Sequence, residues 1–371
     1  VYKLGIIDSS ISILSYLNTF LKSKNEIITF EDWITNKFGR KLFETFFKTY
    51  TEKVWGIPCN EISKEFAEQR IKGLDIIQVI KNAFFNLNQT KTLIDQFNYP
   101  ILGAGQMYEA WSEKITSNGG DIMLNTEVIS INQKNNSINS IEILNKSNME
   151  KIKINASHFF SSIPITHFFK LLSPKINKKI SIANSNLYYR EHITVNLIIS
   201  KTGIFPDQWI YVHEPNVKMA RIANYNNFSK SMTSDSNTTA LSVEYFVFQD
   251  DELWGMDNKS LINLATDELI DIGLIDKLSI IQGLVIRETE SYPTYYLGYK
   301  KHYKIIKKEI NKFNNLYAIG RGGMYKYNNQ DHSTYSGILA AKNYLGIEKS
   351  PYNLWNINSE ATYHEDEEIK D

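Results

Sequence analysis

A single cysteine, Cys59, stands in 371 residues, which excludes an internal disulfide and fits a reducing, cytoplasmic setting. No apolar run reaches the roughly 18 residues a membrane helix requires. The nearest approach, residues 159–172, is broken by Ser, Pro, Thr, His and Lys. Neither sign of charge is in excess: 41 basic and 41 acidic residues cancel, so no global field points to nucleic acid or an anionic membrane. The opening Val1-Tyr2-Lys3-Leu4 has neither the charged nor the apolar zone of a signal sequence, and no methionine precedes it. The expectation is that the true beginning lies upstream.

Several chemistries lack their motifs. The chain has no Walker loop, no G-x-S-x-G elbow and no C-x-x-C, and its seven histidines never fall at a metal-ligand spacing. No metal is expected. Cys59 lies between Pro58 and Asn60 without a nearby histidine, so it reads as structural rather than as a nucleophile.

What is present alternates in texture. Apolar residues at three- and four-residue spacing predict helices up to about residue 97. One opens at Phe30-Glu31-Asp32-Trp33, carries Ile34, Phe38, Leu42, Phe43, Phe46 and Phe47, is interrupted at Gly39 and ends at Gly56-Ile57-Pro58. Others are expected from Ser63, with that residue as cap, and over 75–87. A turn at Gly103-Ala104-Gly105 delivers a helix over 107–117. It lacks the third glycine of a dinucleotide loop, Tyr108 taking that place, and Pro100 sits where the leading strand belongs. Strands are expected over 121–131, 137–143, 150–154, 158–163, 195–199, 209–212, 241–246 and 280–290. Helices are expected over 257–273 and 297–311. Residues 360–371 read as an acidic tail.

The strongest local signal spans residues 316–345. An apolar strand runs into Gly320-Arg321-Gly322-Gly323, and a helix rich in small residues (Gly337, Ala340, Ala341) follows from Ser333. Glycines after a strand let backbone approach a ligand, and amides at a helix start suit an anion or an electron-rich carbonyl. An ordinary strand-loop-helix capped by Asp331 or Ser333 remains the alternative.

The segments FEDWITNKFGRKLFETFFKTYTEKVWGIPCNEIS, AEQRIKGL, YPILGAGQMYEAWSEKITSNGGDIMLNTEVISI and NLYAIGRGGMYKYNNQDHSTYSGILAAKNYLG resemble the flavin-containing amine oxidase superfamily. Within it they are most similar to protoporphyrinogen-oxidase-like oxidoreductases of sugar and polysaccharide loci and to UDP-galactopyranose mutase. The similarity runs from about Phe30 to Glu365. It implies an α/β (α+β) fold with FAD as cofactor. A discontinuous, N-terminally incomplete Rossmann-like FAD domain would be joined to a mixed-sheet and helical substrate domain. The family's G-x-G-x-x-G unit is not in this sequence, so a preceding segment of roughly 100 residues is the corresponding expectation. The implied division is 1–97 substrate domain, 98–163 FAD segment, 164–300 sheet-rich substrate domain, 301–346 closing FAD segment and 347–371 tail.

The resemblance also implies roles. Val128 lays its backbone on the adenine, and Gly320 and Arg321 lie beside the pyrophosphate and ribitol. The turn Asn329, Asp331, His332, Ser333 faces the flavin N1–C2 edge. On the sheet, Arg221, Tyr225 and Tyr245, with Trp209 and Tyr211, are substrate-side candidates, Arg221 as partner of a nucleotide-sugar diphosphate; a core aromatic layer with a solvated arginine is the plainer alternative. Trp55 reads as structural as much as pocket wall. The implied activity is FAD-dependent oxidation of a small molecule. A flavin-dependent isomerase of the mutase type, or an inactive fragment or one chain of a split protein, are the alternatives.

Overall fold

The computed structural model describes residues 6–21, 26–70, 97–276, 279–347 and 352–357. The helix expected over 75–87 and the acidic tail lie outside them. Two compact units emerge, each built from two stretches of chain: 1–120 with 190–289, and 121–189 with 290–371. Relative to the sequence-based division, residues 98–120 fall in the first unit and residues 164–189 and 290–300 in the second.

The first stretch is helical: α1 (Ile6–Leu21), α2 (Phe30–Phe38), α3 (Thr49–Trp55), α4 (Lys64–Arg70) and α5 (Gly105–Ser117). Thr29 and Asp32 form a reciprocal capping box at α2. Phe30, Ile34 and Phe38, one turn apart, are its buried face. Gly39, at φ 85°, ends it, and a Cβ there would meet the Ser15 backbone at 2.8 Å. The apolar stripe then departs from expectation. Residues Phe43–Lys48 are a π-helical segment, which shifts the phase of the stripe: Phe43 is buried while Phe46 is exposed. At the start of α4 the Ser63 hydroxyl donates to the Glu65 carboxylate, and the Ser63 carbonyl accepts from the Phe66 amide. The turn at Gly103, φ 92°, delivers α5 as expected, from Gly105 rather than Met107.

The next stretch holds β1 (Thr126–Lys134), β2 (Ser137–Asn145), β3 (Lys151–Asn155), β4 (Phe159–Ser161), α6 (Ile165–Leu171), β5 (Leu172–Ser173) and α7 (Lys178–Ser185). Their sheet has the order β3-β2-β1-β5. The β1–β2 hairpin turns at Asn135-Asn136, both at positive φ, as a two-residue hairpin turn requires. The strand expected from 121 begins at Thr126. Asn125 is left-handed at φ 52°, and Ile122, Met123 and Leu124 ahead of it are exposed.

In the third stretch β6 (Tyr189–Ile199), β7 (Trp209–Tyr211), β8 (Arg221–Asn224), the short α8 (Tyr225–Phe228), β9 (Thr239–Val247), α9 (Asn258–Asp271) and β10 (Ile280–Pro293) follow. The five strands form one sheet, order β10-β6-β9-β8-β7. Alternation sends Ile193, Val195, Leu197, Val243 and Tyr245 to one face, where they form a core with Leu261, Ala265 and Leu269 of α9. Each such leucine contributes about 1.5–3 kcal/mol by leaving water. Asp257 caps α9 by accepting from the Ser260 amide.

The closing stretch returns to the second unit with α10 (Tyr299–Ile310), β11 (Leu316–Ala318), α11 (Gly320–Met324), α12 (Gln330–Tyr344) and α13 (Tyr352–Asn356). β11 pairs in parallel with β4. Asn315 stitches this pair to the hairpin by bonding both the amide and carbonyl of Ile138. No helix among the described residues is long and apolar enough to cross a membrane.

Candidate functional site

The glycine segment after β11 folds differently from the loop expected. Gly320 sits at φ 72° and opens α11, so the strand stops at Ala318. The Gly320 amide donates to Ser336 Oγ at 2.7 Å, and that hydroxyl donates to the Ser333 carbonyl at 2.6 Å, clasping α11 to α12. Gly323 is required for a different reason: a Cβ there would lie 2.4 Å from the Ser161 carbonyl oxygen. Arg321 donates through Nε to the Asn328 carbonyl at 2.7 Å. Its guanidinium lies 4.5 Å from the Tyr292 ring centre and 5.2 Å from that of Tyr327. Tyr325, at φ 49°, is anchored by its hydroxyl within reach of the carbonyls of Tyr188 and Thr294. The loop 325–329 is therefore held from both sides.

That loop leads into α12, whose N-cap is Asn329 rather than Asp331 or Ser333. The Asn329 side chain makes no capping bond. The first-turn amides of a helix have no intrahelical acceptor and carry its positive dipole end. Beside them Asn328 is wholly buried, and neither its Oδ1 nor its Nδ2 has a partner among the described residues. A buried carboxamide left so costs about 1–3 kcal/mol. His332, buried, places Nδ1 3.0 Å from Asp331 Oδ1. Residues Gly320, Arg321, Asn329, Asp331, His332 and Ser333 are thus brought together in one locale. Val128 belongs to the other sheet of this unit and pairs with Ile143. Ahead of Ile131, the opposite edge of β1 has no strand partner among the described residues.

In the first unit, the face of the five-stranded sheet opposite its core is polar. One row across it reads Tyr211, Arg221, Glu244, Thr194. Arg221 grips the Glu244 carboxylate through Nε at 2.9 Å and through Nη2, and His192 Nε2 lies 3.0 Å from the same carboxylate. Burial pushes the Glu244 carboxyl up, but bonding to His192 and the bonded charge of Arg221 outweigh it, leaving it below the usual value. Arg221 is therefore not the solvated arginine of the plainer reading. Tyr225 borders an aromatic group in which Phe228 collects Phe97, Tyr99, Trp209 and Tyr225 within 6.1 Å. Two expectations change. Tyr245 points to the core face, is fully buried and donates its hydroxyl to Glu268 at 3.0 Å, so it is a core residue and not a substrate contact. Trp55, 1% exposed with its ring edge against Phe66, is structural. Cys59 is buried as well; burial, with Glu52 and Glu31, pushes its thiol well up.

Sequence reasoning passed over Asn328, Ser336, Glu244 and His192. The Asn328-Asn329 pair ahead of a helix was a visible signal, but its burial was not. The other three act through partners 16 or more residues away. No group of three or more metal-ligating side chains occurs among the described residues.

The fold is mixed α/β, and solved structures share it. The particular likeness is to reduced UDP-galactopyranose mutase, with a TM-score of 0.79 and 18% identity over 95% of this chain and 74% of that one. A putative protoporphyrinogen oxidase from Exiguobacterium sp. 255-15 gives 0.61 at 14% identity, over 86% and 68%. An oxidoreductase from Methanosarcina mazei gives 0.56 at 13% identity, over 86% and 69%. No protein-family model matches the sequence, and no curated protein matches it.

Proposed function

We propose that this chain forms the body of an FAD-dependent enzyme of the oxidoreductase type, acting on a small organic substrate in the cytoplasm. The observation that carries the reading is the buried carboxamide of Asn328, without a partner among the described residues, at the start of a 15-residue helix whose N-cap side chain makes no capping bond. A flavin edge offers both the acceptor and the donor such a group needs, and a positive helix end suits its electron-rich carbonyl. The residues present therefore fit the group. FAD bound there would supply a two-electron acceptor.

The chain's own residues then divide the work. Asn328, Asn329 and the first turn of α12, with Asp331, His332 and Ser333, would hold the flavin's electron-rich edge. Gly320 and Arg321, the latter held against Tyr292 and Tyr327, would lie along the dinucleotide, and Val128 would offer its open backbone edge to its adenine end. The second unit is thereby assigned to FAD. The first unit is assigned to substrate, on its polar sheet face. There Glu244 orients Arg221 for an anionic group, Tyr225 and Trp209 offer ring surface, and a nucleotide sugar combines both features. His192, bonded to Glu244, is positioned to hold a proton at that face.

A second reading, a flavin-dependent isomerase, is favoured by the higher TM-score to the mutase, 0.79 against 0.61. Product analysis separates the two. Oxidised product with anaerobic flavin bleaching supports the oxidoreductase. An isomeric product that appears only after prior reduction supports the isomerase. A complete gene product that folds yet takes up no flavin contradicts both.

A further inference from the structure

The neutral total charge conceals a segregation. No acidic residue occurs from Lys151 to Tyr189, and from Ser291 to Gln330 there is only Glu309. These stretches are over 100 residues apart in sequence, yet both lie in the second unit, where α10 packs directly on α7. Lys300, Lys304, Lys308 and Lys312 recur every fourth residue, forming one exposed ridge beginning on α10, with Lys301 beside it. Lys170, Lys175, Lys178 and Lys179 are exposed on α6, α7 and the turn between them. Glu309 is bonded to Lys312. No described acidic side chain pairs with Lys170, Lys178, Lys179, Lys304 or Lys308. Mutual repulsion makes such a concentration costly unless something anionic answers it.

Apolar groups stand among these charges. Ile182 is 51% exposed on α7, one turn beyond Lys178 and Lys179, and Leu297 is 39% exposed just ahead of α10. Tyr188 and Tyr296 stack at 5.0 Å, and Tyr296 ties α7's end by donating to the Asn186 carbonyl. We infer that the α7–α10 face docks on an anionic lipid bilayer surface, lysines over the headgroup phosphates and Ile182 and Leu297 dipping to the acyl boundary. Three features select this partner over nucleic acid. The cations are all lysine, compact point charges, with no arginine on either helix to grip phosphates or bases bidentately. Protruding aliphatic side chains have no use on a duplex backbone but bury favourably in an interface. Paired tyrosines suit the headgroup level.

The test uses the complete gene product in co-sedimentation with vesicles of phosphatidylcholine alone or mixed with phosphatidylglycerol. Binding is expected only to the anionic vesicles, weakening steeply with salt. Each lysine near the surface contributes roughly fivefold to affinity, so the variant K178Q/K179Q/K304Q/K308Q should bind over about a hundredfold more weakly. All four side chains are exposed and relief of their mutual repulsion can only help the fold, so its melting should be no lower than the parent's. Ile182→Ser should weaken binding by several-fold without altering the salt dependence. Equal binding to neutral vesicles, undiminished binding by the lysine variant, or tight binding to duplex DNA in place of vesicles would each overturn the inference.

Discussion

The amide of Gly320 donates a 2.7 Å hydrogen bond to the hydroxyl of Ser336, sixteen residues further along, and both residues are buried. This one bond joins the short helix after β11 to the long helix that follows. Ser336→Ala would leave the Gly320 N–H buried without an acceptor, at a cost of about 1–3 kcal/mol. A lowered urea midpoint with unchanged slope is the expected result, accompanied by weaker flavin retention. An unaltered midpoint would show that the hydroxyl is not a clasp.

Two glycines of the same segment should fail for different reasons. Gly320 needs its φ of 72°, while a Cβ there would meet nothing nearer than 3.8 Å. Gly320→Ala should therefore cost only the left-handed penalty, about 1–2 kcal/mol, and leave a folded protein. Gly323→Ala puts a Cβ 2.4 Å from the Ser161 carbonyl oxygen, backbone that cannot move without breaking the β4–β11 pair. It should be the more damaging by thermal melting. The opposite ranking would contradict the packing described.

Glu244 links stability to acid. Its carboxyl is held below the usual value in the folded chain. The stability it supplies is therefore present above the unfolded carboxylate value and is lost as pH falls through the folded one. Glu244→Gln should remove about 2 kcal/mol at neutral pH, from the loss of charge-assisted bonds to Arg221 and His192. It should also flatten the acid limb of a plot of melting temperature against pH. Parallel acid limbs in variant and parent would show that Glu244 does not carry this linkage.

Much of the scaffold was legible from local rules. The helix expected over 257–273 is α9, and the strands expected over 195–199 and 241–246 lie in β6 and β9. Where the sequence misled, a longer-range effect intervened. The π-helical segment at Phe43–Lys48 broke the helical period that placed Phe46 inside. Gly320 was read as the glycine into which a strand runs, but it opens α11 with a left-handed φ of 72°. Tyr245 and Glu244 are neighbours on one strand, and only the sheet's register shows that one is core and the other faces Arg221. The lysine face is assembled from two distant stretches, so no window of sequence contains it.

Asn328 offers the most direct test of a cofactor at the start of α12. Asn328→Leu removes a carboxamide that has no partner among the described residues while keeping its bulk. Without flavin, the variant of the complete gene product should melt no lower than the parent, because an unsatisfied buried polar group has been removed. With FAD added, the parent's melting temperature should rise and the variant's should rise less, matching a weaker dissociation constant by flavin fluorescence. A variant that is destabilised without FAD, or that gains as much from FAD as the parent, would contradict the proposed site.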